Sequence, residues 1–354
     1  MSVKESAMGD SAYLTQINPI PFTCHHLLPR RKKLALVVEG GGMRGIFSAG
    51  VLDSFHELDF DPFDLYFGVS AGSLNLSSHL AGQYQRNYRV MMYSATSNEF
   101  ISGWNYLRGG HYVDLDWLAS KCIELHPLDK QGAMKHLKDN DKKFTVVCTN
   151  LDSGEPNYYR PNGHNLLKIL TGSCCIPLLY RNPVYIAGER VIDGGIGDPI
   201  PAKKAYIDGA TDIIVIRTRE KQYRELENSM EKKFGSFYYR QYPGLQQSIR
   251  NLANTYNDSI EFIENPPQAL NIFQIAPQHQ LKTNLITTDP EMLENDYQLG
   301  RRLGKEFVYD YLQYSKPDQF SKSLDGRICN RLEPEFNKKH LNTALKQRHS
   351  MIPG

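Results

Sequence analysis

From Leu34 to Val38 the chain reads Leu-Ala-Leu-Val-Val, an unbroken apolar run of the kind found in strands buried on both faces. A glycine turn over residues 40–45 follows. Phe47, Val51, Phe55 and Leu58 then recur at helical spacing and predict a helix over 46–58. Asp64-Leu65-Tyr66-Phe67 reads as a second strand, and a second helix starts at Ala71. Strand, helix, strand and helix in succession predict a parallel sheet covered by helices. Further strands are expected over 144–148, 184–186, 190–192 and 212–217, with a hairpin from Cys148 to Tyr159 turning through Asp152-Ser153-Gly154. Short helices over 115–125 and 164–170 fill the gaps.

The ends of the chain differ from this middle. Residues 1–33 are polar and irregular, with Pro19, Pro21 and Pro29 breaking any helix. After residue 220, Leu245, Ile249, Leu252, Tyr256, Ile260 and Ile263 form one helical stripe. Leu293, Tyr297, Gly300, Gly304, Phe307 and Tyr311 form another, in which the glycines allow close backbone approach. A lone strand over 270–275 separates the two. The expected organisation is an irregular segment (1–33), a catalytic α/β domain (34–220) and a mostly helical C-terminal extension (221–354) packed on it.

Composition narrows the class. At 354 residues, 40% hydrophobic and 23% charged, the chain is an ordinary globular sequence, and a net charge of +2 gives no case for a nucleic-acid partner. Basic residues bunch at Arg30, Arg31, Lys32 and Lys33, and again at Lys338, Lys339, Lys346 and Arg348, as solvated ends or contacts for anionic lipid headgroups. The six cysteines show no framework spacing and read as reduced thiols of a cytoplasmic protein. No apolar run approaches the roughly 20 residues of a membrane span, so any membrane contact is expected to be peripheral. Oligomeric state is not legible.

Two motifs carry chemistry. Gly68-Val69-Ser70-Ala71-Gly72 fits G-x-S-x-G, in which small neighbours let the backbone turn sharply and leave a serine hydroxyl exposed between strand and helix. Gly40-Gly41-Gly42-Met43-Arg44-Gly45 follows the first strand, so its amides converge at a helix N-terminus and suit an oxyanion or a phosphate. Arg44 opposes the helix dipole there, which leaves it a loop-holding or headgroup-binding role. Gly40, Gly42 and Gly45 also satisfy G-x-G-x-x-G, making an NAD(P)-binding oxidoreductase the main rival. That rival needs an acidic residue at the end of the second strand, where this chain has Gly68 and Ser70. A catalytically idle lipid-binding protein is the other alternative.

A serine nucleophile needs a base. Asp193, in Val191-Ile192-Asp193-Gly194-Gly195, ends a predicted strand, and partial burial would raise its basicity. A histidine following it in the chain is the other possibility: His279, or His340 and His349 in the polar tail. No metal-ligand spacing occurs, Cys24-His25-His26 being an isolated cluster, and no cofactor is expected.

Taken in order, Glu39-Gly-Gly-Gly-Met-Arg-Gly45, Gly68-Val-Ser-Ala-Gly72 and Asp193-Gly-Gly195 resemble the bacterial members of the patatin-like phospholipase family. Thr149-Asn-Leu151 with Gly154-Glu155, and Ser173-Cys-Cys-Ile-Pro177, agree with it, and the resemblance spans roughly residues 34–218. It implies a doubly wound, mostly parallel sheet flanked by helices and a Ser–Asp dyad without histidine. Ser70 would be the nucleophile, Asp193 the base, and the loop amides the oxyanion hole. The implied activity is hydrolysis of fatty-acyl esters. Where the family commonly has Asp, this chain has Glu39, a change expected to matter little.

Overall fold

The first strand, β1 (Leu34–Val38), divides its buried side chains between two cores. Leu34, Leu36 and Val38 join one hydrophobic cluster, while Ala35 and Val37 join another. A strand with period two that meets a core on each face has no position for a polar residue, which accounts for the unbroken apolar run. In the computed structural model, which describes residues 32–226 and 239–315, β1 lies inside an eight-stranded sheet. The other strands are β2 (Leu65–Val69), β3 (Lys143–Asn150), β4 (Pro156–Tyr159), β5 (Val184–Ile186), β6 (Glu189–Asp193), β7 (Asp212–Ile216) and β8 (Asn271–Ile275). Their order is β5-β6-β3-β2-β1-β7-β8, with β4 also on β3. The run from β3 to β8 is parallel, whereas β4, β5 and β6 pair antiparallel.

Helices fill the crossovers. α1 (Gly45–Glu57) joins β1 to β2, and α2 (Ala71–Leu80), α3 (Arg86–Arg89), α4 (Gly103–Leu107), α5 (Leu115–Leu125) and α6 (Lys130–Asp139) lie between β2 and β3. α7 (Leu166–Cys174) precedes β5, α8 (Ala202–Ile207) precedes β7, α9 (Pro243–Glu264) leads to β8, and α10 (Pro290–Ser315) follows it. Phe47, Val51 and Phe55 of α1 and Val308 of α10 pack into the Leu36 core. Ala202 and Ala205 of α8 and Tyr256, Ile260 and Ile263 of α9 pack into the Val37 core. The sheet is therefore wound on both faces, as the sequence implies.

One expectation changes. The strand over 270–275 does not lie apart among helices. It pairs in parallel with β7, from Asp212 opposite Asn271 to Ile216 opposite Ile275, and forms the sheet edge. The glycines of α10 do allow close approach: a Cβ on Gly300 would stand 2.1 Å from the Phe47 carbonyl of α1, and one on Gly304 2.1 Å from Ser54 Oγ. Arg301 and Lys305 pair with Glu57, and the Tyr297 hydroxyl donates to Asp53 at 2.8 Å. The N-terminal segment to residue 31, Arg30 and Arg31, the basic cluster over 338–348, Cys24-His25-His26, Cys329, His340 and His349 lie outside the described residues.

If α10 packs on α1 through these glycines, Gly300→Ala overpacks the contact. Unfolding in urea is expected to show a loss of about 1–3 kcal/mol, and unchanged stability would contradict the packing.

Candidate active site

Ser70 closes β2 with φ 50° and ψ −127°, a backbone conformation that costs a non-glycine residue about 1–3 kcal/mol. Hydrogen bonds hold it there. The Ser70 N–H donates to Ser173 Oγ at 2.8 Å, and the Ser173 hydroxyl donates in turn to the Val147 carbonyl of β3 at 2.6 Å. The Ser70 carbonyl accepts from the Ser73 N–H at 2.9 Å and the Ser73 hydroxyl at 2.6 Å. Only small neighbours fit this turn. A Cβ on Gly72 would meet the Val38 carbonyl at 2.3 Å, and one on Gly40 would meet Ser70 Cβ at 2.9 Å. The elbow and the glycine loop are thus in direct contact, as adjacent parallel strands require.

The loop is anchored from below. Glu39 is buried and its Oε2 accepts the Thr218 N–H at 2.6 Å, while the Thr218 hydroxyl donates to the Gly40 carbonyl at 2.6 Å. Glu39 therefore ties the loop to the end of β7. Above it, the Met43 N–H donates to the Leu285 carbonyl at 3.1 Å, and that carbonyl lies over Gly42. This contact occupies the helix end where a dinucleotide pyrophosphate would sit. The N–H groups of Gly40, Gly41 and Gly42 donate to no acceptor among the described residues. Arg44 folds back over Gly41, with its Nε buried and unpartnered. Burial, then the nearby Arg219, lowers its pKa.

Asp193 ends β6. Its N–H donates to the Cys175 carbonyl at 3.0 Å, its carbonyl accepts the Thr149 hydroxyl at 2.7 Å, and its Oδ1 accepts the Gly195 N–H at 2.8 Å. Gly194 lets β6 pass β3, since a Cβ there would stand 2.2 Å from the Val147 carbonyl. The register along β3 locates both groups: Val69 is opposite Val147, and Asp193 is opposite Cys148. Burial pushes the Asp193 carboxyl up to about 6, against the opposing effects of the Ser70 side chain and the Gly195 amide. Oδ2 is buried and makes no hydrogen bond of normal length and angle among the described residues.

Two cavities meet at Ser70. One is apolar and is lined by Met43, Leu74, Met91, Phe100, Leu118 and Leu179 among others. The other holds Asp193, Arg44, Arg219 and Glu225. Ser70, Gly42, Ile176 and Leu285 line both. Among the described residues no histidine lines either cavity, and His279 is exposed on the loop after β8. Among the described residues no group of three His, Cys, Asp or Glu side chains could hold a metal ion. Sequence reasoning missed the roles of Ser173 and of Cys174, whose buried neutral thiol lies against the Ser70 side chain. The small-residue stretch from Ser173 to Pro177 was the available signal.

Residues 36–206 match the family model described as patatin-like phospholipase, and residues 242–316 match a domain of unknown function, DUF6363. The chain is 37% identical over 304 residues to the uncharacterized protein YjjU of Escherichia coli K12, covering 85% of this chain and 84% of that protein. It is 24% identical over 246 residues to the lysophospholipase NTE1 of Cryptococcus neoformans, spanning 66% of this chain but 14% of that much longer protein. Among solved structures, VipD from Legionella pneumophila aligns with a TM-score of 0.40 at 13% identity, over 78% of this chain and 66% of that one. A human GIVD cytosolic phospholipase A2 in complex with a fluorophosphonate inhibitor aligns with a TM-score of 0.41 at 11% identity, over 80% and 59%.

Ser173→Ala leaves the buried Ser70 amide without its acceptor. Chemical unfolding is expected to show a loss of roughly 1–3 kcal/mol, and unchanged stability would deny Ser173 this role. The Asp193 carboxyl titrates higher in the native state than at the ordinary value near 3.9, so the native state keeps this proton longer. Its stabilisation is complete at acid pH and is lost as pH rises through about 6. Asp193→Asn is therefore expected to gain up to about 3 kcal/mol at pH 8 and little at pH 4, as read from thermal unfolding at the two pH values.

Proposed function

The chain belongs to the patatin-like phospholipase family, and from that premise we propose that it hydrolyses lipid acyl esters with Ser70 as nucleophile and Asp193 as base. The observation that carries this reading is the pairing of a strained elbow serine with a buried carboxylate. One oxygen of that carboxylate is held by Gly195, the other makes no hydrogen bond of normal length and angle among the described residues, and the carboxyl shares a cavity with the Ser70 side chain, which acts on it. A base working near neutral pH needs a pKa raised from the ordinary carboxylate range, and burial supplies that here.

In the proposed mechanism Asp193 takes the Ser70 proton as the hydroxyl oxygen attacks the ester carbonyl. The negative charge that develops on the carbonyl oxygen is met by the unspent amides of Gly40, Gly41 and Gly42, where one such donor is worth roughly 3 kcal/mol. Collapse of the tetrahedral intermediate breaks the bond to the alcohol oxygen, which receives the proton from Asp193. Water, deprotonated by the same carboxylate, then attacks the acyl-serine; the bond to Ser70 Oγ breaks, Oγ takes the proton back from Asp193, and the fatty acid leaves. The apolar cavity suits the acyl chain. The cavity containing Arg44 and Arg219 suits an alcohol portion that bears an anionic headgroup. This reading favours phospholipid and lysophospholipid esters over acylglycerols.

Ser70→Ala and Asp193→Asn are each expected to lower turnover of a fatty-acyl ester by about a thousandfold or more with the fold intact. Normal turnover in either variant sinks the assignment. In the unmodified enzyme kcat/KM should rise as pH passes through about 6, where Asp193 loses its proton, and then level off. Arg44→Gln is expected to raise KM for a lysophospholipid roughly tenfold while leaving a neutral short-chain ester nearly unaffected. Equal effects on both substrates would remove the headgroup role.

A further inference from the structure

The apolar cavity beside Ser70 has an outer wall that leaves the body of the protein and returns to it. Ile101 and Val113 pair as an isolated antiparallel bridge, and both line the cavity. Between them lies a finger carrying α4, which Ser102 caps by accepting the Asn105 N–H. No residue of α4 is buried: Trp104 is 62% exposed and Leu107 78% exposed. A short helix that adds nothing to a core gives the fold no reason to present an indole and a leucine to water.

The surroundings of these two side chains are specific. Trp104, Leu107 and Arg108 stand at helical spacings of three and four, so they share one face. The Arg108 guanidinium lies 4.7 Å from the Trp104 ring centre. Arg181 braces the finger, stacking 4.3 Å from the Tyr106 ring and donating to the Tyr106 carbonyl at 2.8 Å. The sequence between Ile101 and Val113 contains no acidic residue. An indole and an aliphatic side chain flanked by guanidinium groups fit the boundary of a bilayer. The apolar parts enter beneath the headgroups while the cations stay level with the phosphates.

We propose that the α4 finger docks the protein on an anionic lipid bilayer, with Trp104 and Leu107 inserted and Arg108 against lipid phosphates. The base of the same finger forms the cavity wall, so docking would bring the acyl cavity to the membrane surface. The purpose of this contact rests on the acyl-ester reading of Ser70, but its detection does not.

The chain contains two tryptophans, Trp104 and Trp117, so Trp117→Phe leaves Trp104 as the sole reporter. In a Ser70→Ala background, which removes the proposed nucleophile, this protein is titrated with vesicles of phosphatidylcholine and phosphatidylglycerol. Trp104 emission is expected to shift to the blue and to be quenched by brominated acyl chains. Sedimentation with the same vesicles, using Ser70→Ala alone and the Trp104→Ser/Leu107→Ser variant in that background, should show partitioning reduced about tenfold or more. The double substitution in the Ser70-intact chain should turn over a water-soluble short-chain ester at the unmodified rate. Arg108→Gln should weaken binding to anionic vesicles and not to pure phosphatidylcholine. Unchanged Trp104 emission, or undiminished partitioning of the double variant, overturns the proposal. Because binding is read without turnover, failure of the Ser–Asp reading would leave these results interpretable.

Discussion

The short chain of hydrogen bonds from the Ser70 N–H to Ser173 Oγ and on to the Val147 carbonyl holds the candidate site in place. It joins three elements that arrive from distant parts of the sequence: the end of β2, the last turn of α7 and the middle of β3. β3 then serves as a common scale, since it pairs with β2 up to Val147 and with β6 from Cys148. A displacement of one residue along it would separate the serine from the carboxylate. The strained backbone at Ser70 persists because its amide and carbonyl are both satisfied by fixed partners.

The arrangement also divides the surroundings of Ser70 by polarity. On one side lie Leu74, Met91 and Phe100, and on the other Arg44, Arg219 and the Asp193 carboxyl. An ester joins an apolar acyl chain to a more polar alcohol, so the proposed nucleophile, at such a boundary, would face the bond where the two halves meet. Burial of Asp193 has two effects from one cause. It opposes ionisation, which costs native-state stability above pH 6, and it makes the ionised carboxylate a better proton acceptor.

Much of this was legible in the sequence because the signals are local. The apolar run over Leu34–Val38, the small residues around Ser70 and the stripe containing Gly300 and Gly304 each record a contact that an individual element must make. What escaped was decided by pairing at long range. β8 is a short strand whose partner, β7, lies far away in sequence, so nothing local distinguished an edge strand from an isolated one. Ser173 likewise looked like one small residue among several, because its acceptor and its donor are 26 and 103 residues away. The loop-anchoring role of Glu39 depends on Thr218, at the end of a strand not adjacent in sequence.

The central claim is that Asp193 activates Ser70, and covalent labelling by a fluorophosphonate probe tests it without a choice of substrate. The native protein should be labelled stoichiometrically, with the modified peptide mapping to Ser70 and the labelling rate rising through pH about 6. Labelling should be lost in Asp193→Asn and kept in His279→Ala. Undiminished labelling of Ser70 in Asp193→Asn, or no labelling of the folded native protein, would contradict the account.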